Sequence, residues 1–471
     1  MDENTSKNRV VVTDEIGGVA RIRSDAEIVR ENQELEDALR PKQSPDKTIL
    51  DVDILAKLKM KQKAKEEVPM ENKDRSLNFG VVGLGQAGNR LAETFSEFGY
   101  EACAFNTATQ DLEHIKLPEN KKIFLPFALG GAGKELDNGR QAVEQNAELI
   151  LTKLNEIFSE KQEMLILAIS GGGGTGSGGA EAIIGLMSSL SKPVGVIYVL
   201  PMESECGLTK HNSVVTLSKL AKMASVDVIT PLIIVDNARI ELLYPSLSKA
   251  QFWGVANKAI VEPLHLFNSL SSTATQHDSL DPMDLSRLLA TGGCSVYGFL
   301  EIENYMETTM LAETVIENLE SGLLASDFDL KQTKFAGFLV TGNSEVLNRL
   351  PASNIHYAQH MLNEICGAPQ LFTGVYELDI PEDIVRIHTL LSGLGLPSAR
   401  VDGLQKAATE QMAVIKEKEK RRGENMLVDY GATTETEGRV QEVHRLIAQK
   451  KTGFGKLTAN AGKKIVDHRK R

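Results

Sequence analysis

The sequence predicts an α/β fold, with a parallel sheet covered by helices on both faces and a second, smaller α/β domain behind it. Three observations carry this. From Leu77 onward, short apolar runs alternate with helical stretches, the pattern of strands joined by crossover helices. The glycine-rich segments lie where those runs end, which is where open α/β sheets bind ligands. No run of about 18 apolar residues occurs, so no membrane-spanning helix is expected.

The elements follow in order. Residues 1–76 are polar and charged, with helix candidates at Ser24–Leu39 and Leu55–Glu67 that lack a convincing buried face; the region reads as a largely flexible extension. Leu77–Val82 is a strand running into GLGQAGNRLAETF, a glycine turn and a helix. Strands follow at Glu101–Phe105 and Ile123–Pro126, then a helix over Gly139–Phe158. Met164–Ile169 feeds SGGGGTGSGG and a helix over Ala180–Leu190; Val194–Leu200 and Val228–Val235 are further buried strands. A long helix over Ala250–Leu270 is interrupted by Pro263. Beyond it, Ser295–Ile302, Phe335–Thr341, Leu371–Leu378 and Val385–Leu391 read as strands, and Met310–Leu324 and Ile355–Cys366 as helices. Ala399–Arg422 is a helix whose charged end, IKEKEKRR, projects. The expected divisions are 1–76, 77–249, a central helix and loop at 250–279, a second domain at 280–397, a helix at 398–422 and a flexible basic tail at 423–471.

The 471 residues are 42% apolar and 25% charged, ordinary for a globular protein. The net charge of −12, from 52 basic and 64 acidic residues, argues against indiscriminate binding to nucleic acid or membrane but leaves room for a local basic patch. Four dispersed cysteines form no CxxC pair, which disfavours structural zinc and a disulfide framework. The polar MDENTSKNRV start does not read as a signal peptide. A cytoplasmic location is expected.

Gly83–Gly88 fits GxGxxG between a strand and a helix, a weak pattern that a tight turn also satisfies. A dinucleotide enzyme would place an acid about 20 residues on. Asn106 and Thr107 stand there instead, which counts against an NAD-dependent Rossmann enzyme. The row Ser170–Gly179 is more specific. Glycine loses the most backbone freedom on folding, and a structural turn needs only one or two. Successive small residues let N–H groups converge on phosphate oxygens, and the Thr175 and Ser177 hydroxyls can add donors. GxxxxGK[ST] is absent, so this is no P-loop. Trp253 and Asn257 lie one helical turn apart and share a face; core packing is the alternative for the tryptophan. Asp281 and Asp284, at a helix start, project to one side, and helix capping explains them equally.

These residues together resemble the tubulin and FtsZ superfamily, in order from Leu77 to Arg422. GGGTGSG is similar to its phosphate-loop signature, GQAGN at 85–89 to its first phosphate loop, and Asn106-Thr107 with Gln110 to its NTxxQ segment. Gly131, Ala132 and Gly133 resemble its γ-phosphate loop, and Val235-Asp236-Asn237 its guanine-contacting segment. LDxxDLxxLLxxGG, containing Asp281 and Asp284, resembles the T7 loop. The resemblance implies GTP or GDP as ligand, with Mg²⁺ carried on the phosphates and no confident protein metal ligand. The implied contacts are Gly85, Gln86, Ala87, Asn89, Asn106, Gly131, Ala132, Gly133, Gly172, Gly173, Gly174, Thr175, Gly176, Ser177, Glu205, Asn212, Asn237, Trp253 and Asn257. It implies Asp281 and Asp284 as catalytic acids acting in the pocket of the neighbouring subunit of a head-to-tail filament. Ser279 replaces the asparagine common in FtsZ. Glu205 also reads as a solvated loop acid.

Within the superfamily the sequence is most similar to the TubZ group of plasmid and phage tubulins, through the segments Leu200–Glu205, Asp236–Arg239 and GLGLPSARV. From Lys450 to Arg471 eight basic residues face one acid, Asp467. In that group such a tail docks a DNA-bound TubR-type adaptor, so DNA contact is expected to be mainly indirect. A cell-division FtsZ, expected to end in an apolar-acidic peptide, is the alternative.

Overall fold

The computed structural model describes residues 75–426 except 128–129, 303, 308 and 379–382. The helix candidates at 24–39 and 55–67 and the basic tail from 427 lie outside the described residues.

The first half alternates strand and helix. It runs β1 (Phe79–Leu84), α1 (Gly85–Glu97), β2 (Glu101–Asn106), α2 (Thr109–Glu113), β3 (Lys122–Phe124), α3 (Leu136–Gln145), α4 (Ala147–Ile157) and β4 (Met164–Ser170). It continues with α5 (Thr175–Ser188), β5 (Val194–Leu200), α6 (Gly207–Ser225), β6 (Leu232–Asp236) and α7 (Asn237–Leu243). The long α8 (Lys249–Leu270) and α9 (Pro282–Leu289) lead to β7 (Cys294–Ile302), α10 (Met310–Glu317), β8 (Phe335–Gly342), α11 (Ser344–Arg349), α12 (Ala352–Ile365), β9 (Gln370–Glu377), β10 (Val385–Leu394) and α13 (Ser398–Met426).

All ten strands form one sheet in the order β3-β2-β1-β4-β5-β6-β7-β10-β8-β9. The strands from β3 to β6 are parallel throughout. The second half is mixed, because β10 runs antiparallel to both β7 and β8 while β8 and β9 are parallel. The halves meet at β6 and β7 through two residue pairs, Leu232 with Cys294 and Ile233 with Ser295. Strand alternation divides the core. Val82, Cys103, Leu165 and Leu167 pack on one face; Val81, Ala104, Ile166 and Ala168 pack on the other, beneath α1 and α8.

Several local expectations change. The helix expected over 139–158 is two helices, because Asn146 turns its side-chain amide onto the Ala142 carbonyl at 2.7 Å and competes with the backbone ladder. Pro263 does not interrupt α8; Ile260, Val261, Leu264 and Phe267 are buried on both sides of it and hold the helix in place. The helix expected from Ala180 starts at Thr175, inside the glycine loop. The helix expected to reach Leu324 ends as a wider turn over Asn318–Gly322. The 19-residue α6 has no counterpart in the sequence reading. No helix among the described residues is long and apolar enough to cross a membrane.

Candidate functional site

The glycines of the first two motifs bring two loops into contact. Gly85, with φ +75°, begins α1, and a Cβ there would stand 3.0 Å from the Gly176 nitrogen. A Cβ on Gly88 would lie 2.1 Å from the Ala168 carbonyl oxygen, and one on Gly176 2.8 Å from that of Leu84. In the glycine row, Gly171 is crowded by Tyr198 and Ser213, Gly172 by Thr209, Gly174 by Ala132, Gly178 by the Leu136 carbonyl and Gly179 by Val143. Gly173 is different: a Cβ there would meet nothing within 4 Å. Its place in the row has no explanation inside the protein, whereas the others are required by close packing.

The loop bearing Gly131, Ala132 and Gly133 stands over this row. Gly130, Gly131, Gly133 and Lys134 all have positive φ, between 61 and 93°, a conformation natural to glycine and strained for lysine. The loop is latched on three sides. The Gly131 N–H donates to the Thr107 carbonyl at 2.9 Å, Asn212 Nδ2 to the Lys134 carbonyl at 2.7 Å, and Lys134 Nζ to Thr209 Oγ1 at 3.1 Å. Asn212 is therefore a loop-holding residue here. The Thr175 and Thr107 hydroxyls are 2.7 Å apart. Ser177 donates to the Ser170 carbonyl at 2.9 Å, so its hydroxyl proton closes the loop. Glu205 Oε1 accepts from the Met202 N–H at 3.2 Å and so closes its own turn, while its other oxygen faces Gly172.

Gln86, Ala87, Asn237, Trp253 and Asn257 line one small pocket of about 70 Å³. Asp111 accepts from Gln86 Nε2 and from Asn106 Nδ2, each at 3.0 Å, and so ties the first loop to the end of β2. Asn237 starts α7, where Asp236 supplies the N-cap by accepting from the Ala238 N–H at 3.0 Å. Trp253 is half-buried and meets Phe252 edge-on at 5.2 Å. Arg90, which sequence reasoning missed, lines the same pocket with its guanidinium 6.0 Å from the Trp253 ring centre. Its position on the face of α1 beside GQAGN was the available signal.

Asn89 stands out in this region. It is fully buried, yet neither its amide oxygen nor its amide nitrogen has a hydrogen-bond partner. Leaving such groups unpaired costs about 1–3 kcal/mol each, and buried polar atoms are nearly always satisfied. An amide orphaned beside open glycine loops fits a polar ligand that completes it.

Asp281 and Asp284 form a reciprocal capping box. Asp281 Oδ1 accepts from the Asp284 N–H at 2.8 Å and Asp284 Oδ2 from the Asp281 N–H at 3.4 Å. The loop before them is fixed to β9. Tyr376 OH accepts from the Leu280 N–H at 2.8 Å, Thr275 Oγ1 donates to the Val375 carbonyl at 2.7 Å, and Leu280 is buried. Asp281 is exposed, beside a Met283 that is 62% exposed. Among the described residues, the side-chain hydrogen bonds of both acids stay within the pair and do not reach the glycine loops. A larger cavity of about 400 Å³ lies between α8 and strands β7 and β10; it contains none of the predicted site residues.

Residues 78–244 match the Tubulin/FtsZ family, GTPase domain. The chain carries a tubulin/FtsZ-family domain. This is a family of cytoskeletal GTPases that bind GTP and GDP. The tubulin-like protein CetZ of Pyrococcus abyssi is 28% identical over 322 residues, covering 67% of this chain and 85% of that protein. The tubulin-like protein TubZ of Bacillus cereus is 23% identical over 357 residues, covering 68% and 80%. Among solved structures, the GTPγS-bound protofilament of CetZ2 from Haloferax volcanii superposes with a TM-score of 0.61 at 20% identity, covering 72% of this chain and all of that one. The tubulin/FtsZ fold accounts for the parallel half of the sheet, with every glycine loop at the carboxyl ends of its strands.

Proposed function

We propose that this protein is a GTP-hydrolysing filament subunit whose active site is completed between copies. The observation that carries the reading is the separation of the two halves of the chemistry. The residues Gln86, Asn237, Trp253 and Asn257 converge on one pocket, while Asp281 and Asp284 start α9 behind a separate loop held by Tyr376. The nucleotide would sit with its phosphates over Gly172–Gly174 and the N-terminus of α5, where backbone N–H groups and the helix dipole favour anions. Gly85 and the 131–133 loop flank it. Its base would enter the pocket of Asn237 and Asn257. Mg²⁺ bound through the phosphates would neutralise charge there. Hydrolysis needs water oriented toward the terminal phosphate, and the exposed carboxylate of Asp281 and the half-buried one of Asp284 would do this in the next subunit of a head-to-tail stack.

A mixing experiment tests the shared site. Asp281→Ala subunits retain the pocket but should release little phosphate. Adding an inactive pocket variant, such as Gly173→Glu, should restore phosphate release, because that variant still supplies acids. Absence of restoration at any ratio, with both variants folded and assembling, means that the acids serve their own chain or nothing.

The finer reading is TubZ-like segregation or positioning of plasmid or phage DNA through an adaptor held by the basic tail. It is supported by the charge of residues 450–471 and by the TubZ likeness. The higher identity to CetZ proteins favours a cytoskeletal role without a DNA cargo. Deleting 450–471 should abolish adaptor capture and spare GTP turnover; in the CetZ-like case the wild-type tail captures no DNA-bound adaptor to begin with.

A further inference from the structure

The structure assigns to Arg400 the role of a positioning residue that couples the C-terminal helix to the base-reading end of the nucleotide pocket. Arg400 lies in the first turn of α13 and its guanidinium points away from that helix into the first half of the molecule. Nε donates to Asp236 Oδ2 at 2.6 Å, Nη2 donates to Asp236 Oδ1 at 3.2 Å and to the Pro201 carbonyl at 2.9 Å, and Nη1 bonds Glu203. The Arg400 and Asp236 side chains are 10% and 3% exposed. A two-point fork between guanidinium and carboxylate fixes direction as well as distance.

The two elements it grips are those that place predicted ligand contacts. Asp236 caps α7, whose first residue is Asn237. Pro201 and Glu203 belong to the turn that Glu205 closes, and the Glu203 carbonyl is held again by the buried Lys210 at 2.7 Å. Helix α13 is seated further along on α6, where a Cβ on Gly207 would stand 3.1 Å from the Ala408 carbonyl oxygen. Helix α6 in turn supplies Thr209 and Asn212, which latch the 131–134 loop. The base of α13 is thus wired to both ends of the pocket. Burial raises the Asp236 carboxyl above its usual range, opposed chiefly by its hydrogen bond to Arg400. Anything that orders Asn237 stabilises this junction, and by linkage the seated helix favours the ordered Asn237 to the same degree.

The inference rests on the nucleotide reading above, and the test separates the two. Full-length wild type, Arg400→Lys, and the double variant Arg400→Met with Asp236→Asn are titrated with GDP and with IDP, which lacks the guanine 2-amino group. The double variant removes the pair without stranding a buried charge, and asparagine still serves as an N-cap. The expected result is a loss of about fivefold in the GDP-over-IDP ratio in the double variant and a smaller loss in Arg400→Lys. A purely structural arginine would weaken both nucleotides equally. Hydrogen exchange supplies the reciprocal measurement: GDP should protect amides at 398–408 in wild type and fail to in the double variant. An unchanged GDP-over-IDP ratio in a folded double variant overturns the inference and leaves the nucleotide reading intact. A wild type that binds no GDP overturns the nucleotide reading, and the inference with it.

Discussion

Among the described residues two short α-helices, α7 and α9, begin with an aspartate cap, and they are put to opposite uses. Asp236 caps α7 from a buried position, under Arg400 and beside Pro201. Asp281 caps α9 from an exposed position, with only the backbone and side chain of Asp284 for company. Both satisfy a helix end by accepting an N–H bond. The first carboxylate accepts a cap bond and a guanidinium fork and is 3% exposed, so solvent and substrate do not reach it. The second retains lone pairs that face solvent, on a loop that Tyr376 and Thr275 hold still. Local sequence makes the cap; the surroundings decide whether the acid positions or reacts.

The largest expected effect falls on the exposed acid, Asp281. Asp281→Asn preserves the cap and should still lower steady-state phosphate release by on the order of 100-fold, with GDP affinity unchanged. Phosphate release within a few-fold of wild type would remove Asp281 from the chemistry and return it to capping alone. The buried acid should behave in the opposite way. Asp236→Ala removes the forked partner of Arg400, leaving it Glu203 and the Pro201 carbonyl, and should destabilise the fold by about 3 kcal/mol, read as a shift in the urea midpoint. A shift as small as that of a surface substitution would mean that Arg400 is well solvated after all.

The sequence carried much of this contrast and missed a definable part. Strands such as β5, Val194–Leu200, were legible because every residue is apolar or glycine and buried on both sides. Helix α6 was not, because its buried face includes Thr209, Lys210, Asn212, Ser213 and Thr216, and polar residues at those positions erase the apolar period that betrays a helix. Some of them are received by partners far along the chain, as when Asn212 Nδ2 donates to the Lys134 carbonyl at 2.7 Å. The same reason hid Arg400, whose partner Asp236 lies 164 positions away. The glycine row announced a loop, but no sequence feature separates a glycine crowded by its own protein from one left open for a ligand.

That distinction gives a third prediction, smaller in size. Gly88→Ala would push a methyl group to 2.1 Å from the Ala168 carbonyl and should not fold properly, which circular dichroism and thermal melting will show. Gly173→Ala meets nothing in the protein and should melt within about 0.5 kcal/mol of wild type. If phosphate occupies the space above Gly173, GTP affinity should still fall about tenfold, or ~1.4 kcal/mol. Unchanged affinity would place the phosphates away from this residue.

The smallest effect separates capping from chemistry at Asp281 itself. Asp281→Ala removes the side-chain acceptor of the Asp284 N–H and should lower stability by about 1 kcal/mol, whereas Asp281→Asn, which keeps an acceptor, should lower it by a few tenths. If both variants lose turnover equally while only the alanine loses stability, the two roles of this aspartate are independent. Should turnover follow stability across the pair, the carboxylate would act by holding α9 in place, and the comparison with Asp236 would collapse into two versions of one structural device.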